Sequence, residues 1–153
     1  MAAQGLFSLG LRAEHSDRHH FAYTASFLGH KVNLLDGVGG TGTDALSYVG
    51  QGDAVLAISL APYSRQVLEI ARKASLRGVA VVGITNSPCR RWPALAQESI
   101  IVTANSRSFV QSIASALAAV DILVDRWGAD VEKTIKSTEA LLADFDVYLR
   151  PPA

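Results

Sequence analysis

The chain has 153 residues, 49% of them hydrophobic, so it has the size and apolar content of one folded domain and is not a disordered segment. Lysine plus arginine and aspartate plus glutamate both number 14, a balance that excludes a broad basic face for nucleic acid on this domain. The single cysteine, Cys89, excludes internal disulfides, and short apolar runs without a signal-peptide pattern predict a cytoplasmic protein with no membrane contact.

Strand and helix patterns alternate along the chain. Short apolar runs predict strands, and the stretches between them, with capping residues before them or glycine after them, predict helices. In chain order the predicted elements are a strand at 5–10, a helix at 12–28, a strand at 31–35, a short helix from Thr43 or Asp44 to 49, a strand at 54–58, a helix at 62–77, strands at 79–84 and 99–103, and helices at 108–127 and 130–145. This alternation predicts an α/β fold with a parallel sheet covered by helices on both faces.

The third predicted strand leads into a hydroxyl-rich turn and then a helix, an arrangement typical of an anion site. Backbone N–H groups at a helix start point outward, and the helix dipole favours negative charge there. Ser59, Ser64 and Arg65 stand where a phosphate or a carboxylate would bind. Ligands of open parallel sheets bind beyond the carboxyl ends of the strands, so we expect the loops after strands one, three and four to line one crevice. These loops are residues 10–14, 59–65 and 85–87.

The predicted helix at 108–127 is apolar on most sides. Such a helix must be buried within the monomer or against another chain. We therefore take it as the candidate surface of a homodimer, and we expect aspartate at Val120 or Leu123 to produce monomers.

Four histidines raise the question of a metal site. His15 and His19 are four residues apart, which places both imidazoles on one face of the first helix, with Asp17 and His20 nearby. A zinc site needs three or four ligands, and no third one is identifiable, so we expect no metal. Polar residues at the mouth of the crevice are the simpler interpretation. In an isomerase, one of these histidines or His30 could act as a general base.

Four motifs occur in a characteristic order. They are Gly10-Leu11-Arg12, then Leu34-Leu35-Asp36-Gly37 with Gly39-Gly40-Thr41, then 52–59 with Pro62-Tyr63-Ser64-Arg65, and then Gly83-Ile84-Thr85-Asn86-Ser87. Together, from about Leu6 to Val124, they resemble a sugar isomerase (SIS) domain, and more narrowly the effector-binding domain of RpiR-type bacterial transcription regulators. The resemblance implies a three-layer α/β/α sandwich with a five-stranded parallel sheet in flavodoxin-like order.

The resemblance also implies a function and a domain organisation. SIS domains bind phosphosugars, usually with a Ser/Thr-rich loop after the third strand. Residues 1–153 are then a single SIS domain, with its core at about 5–127 and a C-terminal helix at about 130–145. The helix-turn-helix domain of the regulators is absent from this sequence, so any contact with DNA runs through a domain outside this chain. A stand-alone SIS protein is the alternative.

Two loops depart from the family pattern. The usual phosphate loop reads Ser-x-Ser-Gly-x-Thr, whereas this chain has Ala61 and Pro62 at its centre. Ala61 removes a hydroxyl and Pro62 removes a backbone N–H, although Arg12 and Arg65 could restore the grip on an anion. Glu14 stands where related regulators place serine. Its carboxylate would repel a phosphate and could instead accept hydrogen bonds from sugar hydroxyls or an amino group.

These considerations define the predicted site and its function. The predicted ligand-binding residues are Arg12, Ala13, Glu14, Ser59, Tyr63, Ser64, Arg65, Thr85, Asn86 and Ser108. We expect no catalytic residue, no metal and no cofactor, a sugar phosphate or sugar acid as ligand, and a homodimer or higher oligomer. The leading hypothesis is a non-catalytic effector sensor. An aldose–ketose phosphosugar isomerase or related lyase and a purely structural oligomerisation domain are the alternatives.

For several of these residues a structural role is the competing interpretation. Ser59 and Ser64 can cap the helix after the third strand, Ser106 and Ser108 can cap the long apolar helix, and Thr85 and Asn86 can cap a turn at a strand end. Tyr63 can pack on the surface.

Overall fold

The computed structural model describes residues 4–35, 44–87, 92, 95–106, 111–128 and 132–145. The strands in this part of the chain are β1 (Leu6–Leu9), β2 (Val32–Leu34), β3 (Ala54–Ile58), β4 (Ala80–Thr85) and β5 (Glu98–Ile101). The helices are α1 (His15–Phe27), α2 (Arg65–Leu76), α3 (Ala114–Trp127) and α4 (Glu132–Asp144), with 3₁₀ turns at Arg12–Glu14 and Asp44–Ser47.

The five strands form one sheet in the order β2-β1-β3-β4-β5, and all four pairings are parallel. The order reverses direction between β1 and β3, so the chain leaves these two neighbouring strands toward opposite faces of the sheet. Parallel sheets with such a divergence bind their ligands beyond the carboxyl ends of the two strands. The predicted α/β class and the flavodoxin-like strand order are confirmed.

Each face of the sheet has its own core, because successive side chains of a strand point to opposite sides. On one face, α2 packs its apolar stripe against the sheet; the stripe is Val67, Ile70, Ala71 and Ala74. On the other face, α1 and α3 pack together over the strands; their buried members are Phe21, Ala116, Ala119, Val120 and Val124. The strands are therefore apolar on both sides, as expected for a covered parallel sheet.

Three helices begin later than the apolar patterns predicted. α1 begins at His15 and not at 12, because a 3₁₀ turn occupies Arg12–Glu14. α2 begins at Arg65 and not at Pro62, because Ser64 lies in an extended conformation and its hydroxyl accepts a hydrogen bond from the Val67 N–H. α3 begins at Ala114 and not at 108. Here the Ser112 hydroxyl accepts the Ala114 N–H at 3.3 Å, a local turn that competes with helical hydrogen bonding. Residues 107–110 lie outside the described part of the chain.

The apolar helix α3 is buried on one side only. Val120 is fully buried in the core of the monomer, whereas Ile122 is 63% exposed on the outer side. Val120 was predicted to form part of an intersubunit surface, and this is wrong, because its side chain already packs between the helices and the sheet. None of the described helices is both long and apolar enough to cross a membrane.

Candidate functional site

Hydrogen bonds tie together the loops that follow β1, β3 and β4. Glu14 Oε1, in the first loop, accepts from the Leu60 N–H in the second at 3.1 Å. Asn86 Oδ1, in the third loop, accepts from the Ala61 N–H at 2.8 Å. The Tyr63 hydroxyl donates to the Ser87 carbonyl at 3.2 Å. The loop after β3 is therefore held from both sides, and the three loops line one edge of the sheet.

A tight turn places Glu14 at this edge. Gly10 passes so close to the turn that a Cβ on it would lie 2.5 Å from the Glu14 carbonyl oxygen, so glycine is required there. Arg12 adopts φ 64°, a left-handed conformation that is unusual for a residue with a side chain. These two features reverse the chain after β1 and bring Glu14 back over the end of β3.

The two serines of the β3 loop make internal hydrogen bonds. Ser59 is buried, and its Oγ accepts from the Ser64 N–H at 3.4 Å. Ser64 Oγ accepts from the Val67 N–H at 3.4 Å, the N-cap bond of α2. Ser64 therefore has the capping role that was the competing interpretation, and its binding to a ligand stays a prediction.

The remaining predicted site residues differ in accessibility. Arg12, Ala13 and Arg65 are exposed, and Tyr63 and Asn86 are half-buried. Thr85 is fully buried and its hydroxyl donates to the Ser87 carbonyl at 3.4 Å, so it shapes the turn after β4. Ser108 lies outside the described residues. The loop contacts above bring Glu14, Ser59 and Asn86 to a common edge.

The family model of the SIS domain matches residues 19–126. The chain belongs to the SIS domain family. No curated protein sequence matches it closely. Among solved structures, this SIS domain resembles the sugar isomerase domain of an RpiR transcription factor from Sphaerobacter thermophilus, with TM-score 0.81, 20% identity and coverage of 95% of this chain and 80% of that one. Its fold is thus the fold of an RpiR-type regulator SIS domain.

Two further structural relatives show the range of this fold. The Vibrio vulnificus NanR protein, solved with ManNAc-6P, matches with TM-score 0.82 and 20% identity over 95% of this SIS domain. The match covers 58% of the NanR chain. A hypothetical protein from Methanococcus jannaschii, for which a 3-hexulose-6-phosphate isomerase function is inferred, matches with TM-score 0.62 and 19% identity over 88% of this chain and 72% of that one. The fold therefore occurs in a transcription factor, in a protein solved with a sugar phosphate and in an inferred isomerase.

A carboxyl group next to the site is buried, and its burial was not predicted from the sequence. Asp17 is fully buried in the first turn of α1, and neither of its carboxylate oxygens has a hydrogen-bond partner among the described residues. Burial, together with the negative charge of Glu14, raises the pKa of Asp17 to about 7, while His20 lowers it. Asp17 was expected among polar residues at the crevice mouth. The helical series of Asp17, Phe21 and Ala25 was the signal that it faces inward.

The basic residue after Asp17 is buried as well. Arg18 Nη1 donates to the Leu35 carbonyl at 3.1 Å, which ties α1 to the chain just after β2. The guanidinium thus supplies a hydrogen-bond donor to a backbone carbonyl at the end of the strand. Arg18 therefore supports the fold beneath the crevice.

The histidines of this SIS domain do not converge on a metal site in the described residues, where no three metal-ligating side chains group together. The rings of His15 and His19 pack with centroids 4.4 Å apart. His20 Nε2 lies 2.6 Å from Asp121 Oδ1 and links α1 to α3. The ring of His30 stacks on Trp127 at 4.1 Å. His20 and His30 are thus engaged in contacts that hold helix α1 and its flank to α3.

Two grooves lie elsewhere on the SIS domain. One of about 450 Å³ runs between β5 and α3, beside the exposed side chains of Ile101 and Ile122. Another of about 200 Å³ is lined almost wholly by apolar side chains, among them Phe21 and Trp127. Neither contains a predicted site residue. The lining of the first includes the polar residues Thr103, Ser115 and Arg126, whereas the second lacks the polar partners that a sugar needs.

Proposed function

We propose that this SIS domain is the sensing domain of a bacterial transcription regulator and binds an anionic sugar derivative without transforming it. The observation that carries the proposal is the state of the candidate bases. Glu14 is held by the Leu60 N–H, and His20 is held by Asp121. A general base must reach a substrate proton, and in this state both groups are engaged in other hydrogen bonds, which supports binding without catalysis.

The structural likenesses favour a regulator over an isomerase. The RpiR transcription factor and NanR match at TM-scores of 0.81 and 0.82, and the inferred isomerase matches at 0.62. NanR was solved with ManNAc-6P, a sugar phosphate, which supports a ligand of that class here. The proposed ligand is a phosphosugar or a sugar acid, and DNA is contacted only through a helix-turn-helix domain outside this sequence.

The proposed mechanism is a population shift. The loops that close the crevice are joined directly to α1 and α2, and α1 is joined to α3 through His20 and Asp121. A ligand that binds one arrangement of these helices better increases its population, and attached domains read the change through a homodimer. We place the dimer contact on the outer side of α3 and the edge of β5, where Ile122 and Ile101 are exposed.

Replacing Arg65 by alanine tests the anion site. Arg65 is exposed at the first position of α2, beside the loop after β3. A guanidinium that binds a phosphate or carboxylate in a bidentate manner contributes about 1.5–3 kcal/mol, so we expect Arg65→Ala to weaken effector binding roughly 10-fold to 100-fold. The effector is first found by thermal shift with sugar phosphates, sugar acids and amino sugars, and its affinity is then measured by titration calorimetry.

The matched control is Arg72→Ala, which removes the same charge from an exposed position farther along α2. It should bind the effector as the wild type does. If Arg65→Ala also binds normally, Arg65 is not part of the site. If no compound in the three classes binds the wild type, the sensor proposal is wrong.

An isomerase remains the second candidate, because two carboxyl groups stand close together at this edge. The pKa of Asp17 is raised to about 7 by burial and by Glu14, and groups that titrate near neutral pH suit proton transfer. Incubation with sugar phosphates, followed by detection of aldose–ketose interconversion, tests it. Turnover that Glu14→Gln abolishes would replace the sensor proposal.

A further inference from the structure

The carboxylate of Glu14 accepts a hydrogen bond from the backbone N–H of Leu60, a donor that could otherwise bind a ligand. Leu60 comes two residues after the end of β3, and its N–H points to Glu14 Oε1 at 3.1 Å. Glu14 belongs to a different loop, 46 residues earlier in the chain. A carboxylate and the anionic group of a ligand are both oxyanions that accept from a backbone N–H, so only one of them can use this donor fully.

Glu14 differs from the other side chains that accept hydrogen bonds from the backbone N–H groups of this segment. The N–H groups of Ala61, Ser64 and Val67 also have side-chain acceptors. Those acceptors are an amide oxygen and two hydroxyls, which are neutral and do not repel an anion. Of the four acceptors, Glu14 alone carries a formal charge.

We propose that Glu14 is a specificity-determining residue, an internal anion that excludes free oxyanions such as inorganic phosphate from the crevice. The inference rests on the proposed function. An effector binds only if its anionic group displaces the Glu14 carboxylate from Leu60 and another part of the effector compensates for the displacement. Since a displaced carboxylate needs hydrogen-bond donors, the effector carries hydroxyl or amino groups within reach of its anionic end. A bare anion has no such donors.

The Glu14 side chain is suited to this exchange. It is half-buried, so it can leave Leu60 for the crevice without breaking the core, whereas Ser59 is fully buried. Its backbone is held by the contact with Gly10 and by the 3₁₀ turn, which keep the carboxylate near the loop. The side chain can therefore move while its attachment stays in place.

Titration of inorganic phosphate into the wild type, Glu14→Ala and Glu14→Gln tests the inference, with the amide signals of Leu60 and Ala61 followed by NMR. Glu14→Ala removes both the charge and the acceptor, and we expect phosphate to bind at least about tenfold more tightly than in the wild type, with the largest shift at Leu60. Glu14→Gln keeps an acceptor for Leu60 but lacks the charge, so we expect a smaller gain. Glu69→Gln, at an exposed position of α2, removes the same charge and should behave as the wild type.

A purely structural Glu14 gives a different result. Glu14→Ala would then lower the melting temperature and leave phosphate affinity unchanged, which overturns the inference. Glu14→Gln keeps the measurement possible should the alanine variant not fold. An equal gain in Glu69→Gln also overturns it, because the effect would then be one of net charge.

A parallel titration of the wild type with sugar phosphates and sugar acids separates this inference from the proposed function. If the wild type binds such a compound and neither Glu14 variant gains phosphate affinity, Glu14 is not an internal anion but the sensor proposal stands. If the Glu14 variants gain phosphate affinity and the wild type binds no sugar derivative, the sensor proposal fails and the role of Glu14 stands.

Discussion

We expect aspartate at Val120 to unfold the domain, whereas aspartate at Ile122, two residues away on the same helix, should leave it folded. Val120 is fully buried among the residues of α3 and the sheet. A charge placed there has no partner and cannot reach water, which costs more than about 4 kcal/mol, a large part of the stability of an ordinary domain. Ile122 is 63% exposed, so the carboxylate of an aspartate there stays in contact with water. Circular dichroism melts of the two variants measure the contrast.

The Ile122→Asp variant also tests the proposed dimer. If the outer side of α3 is the intersubunit surface, light scattering should give a monomer, because the charge would be buried on association. Leu76→Asp is the matched control: Leu76 is 74% exposed on α2, on the opposite face of the sheet, and its replacement should not change the mass. A dimer that survives Ile122→Asp would remove the assignment of this surface.

Replacing Asp17 by asparagine should change the pH dependence of stability. The folded state raises the pKa of Asp17 from 3.8 to about 7, so it favours the protonated carboxyl over the charged one. The stability of the wild type that is due to this group is complete below pH about 4 and is lost as the pH rises to about 7. The asparagine side chain cannot ionise. The free energy of unfolding of the variant, relative to that of the wild type, should therefore rise across this interval, by up to about 4 kcal/mol.

Chemical denaturation of both proteins between pH 5 and pH 8 measures this difference. Asp125→Asn, which changes an exposed carboxylate on α3, is the control and should follow the wild type. Because the charge of Glu14 contributes to the raised pKa, Glu14→Gln should move the transition of Asp17 to lower pH. A constant difference between wild type and Asp17→Asn at all pH values would show that the pKa of Asp17 is the same in the folded and unfolded states, which contradicts the prediction.

The strands and the fold class were predictable because their signals are local or periodic. The run 54–58 is apolar and bounded by turn residues, and β3 has those limits. The inner face of α2 was predicted correctly from its apolar spacing, which comprises Val67, Ile70, Ala71 and Ala74. The helix starts were less predictable, since the hydroxyls of Ser64 and Ser112 set them through single hydrogen bonds that compete with apolar periodicity.

By itself, the sequence determined the order of the elements and the parallel sheet, because hydrophobic periodicity and the chirality of strand–helix–strand connections leave few other arrangements. Only the tertiary structure decided which side of α3 is core, that Asp17 is buried, and what Glu14 contacts. The carboxylate of Glu14 and the N–H of Leu60 are 46 residues apart, and no local pattern records such a pair. The hydrogen bonds that restrain the loops at this edge of the sheet are products of the fold.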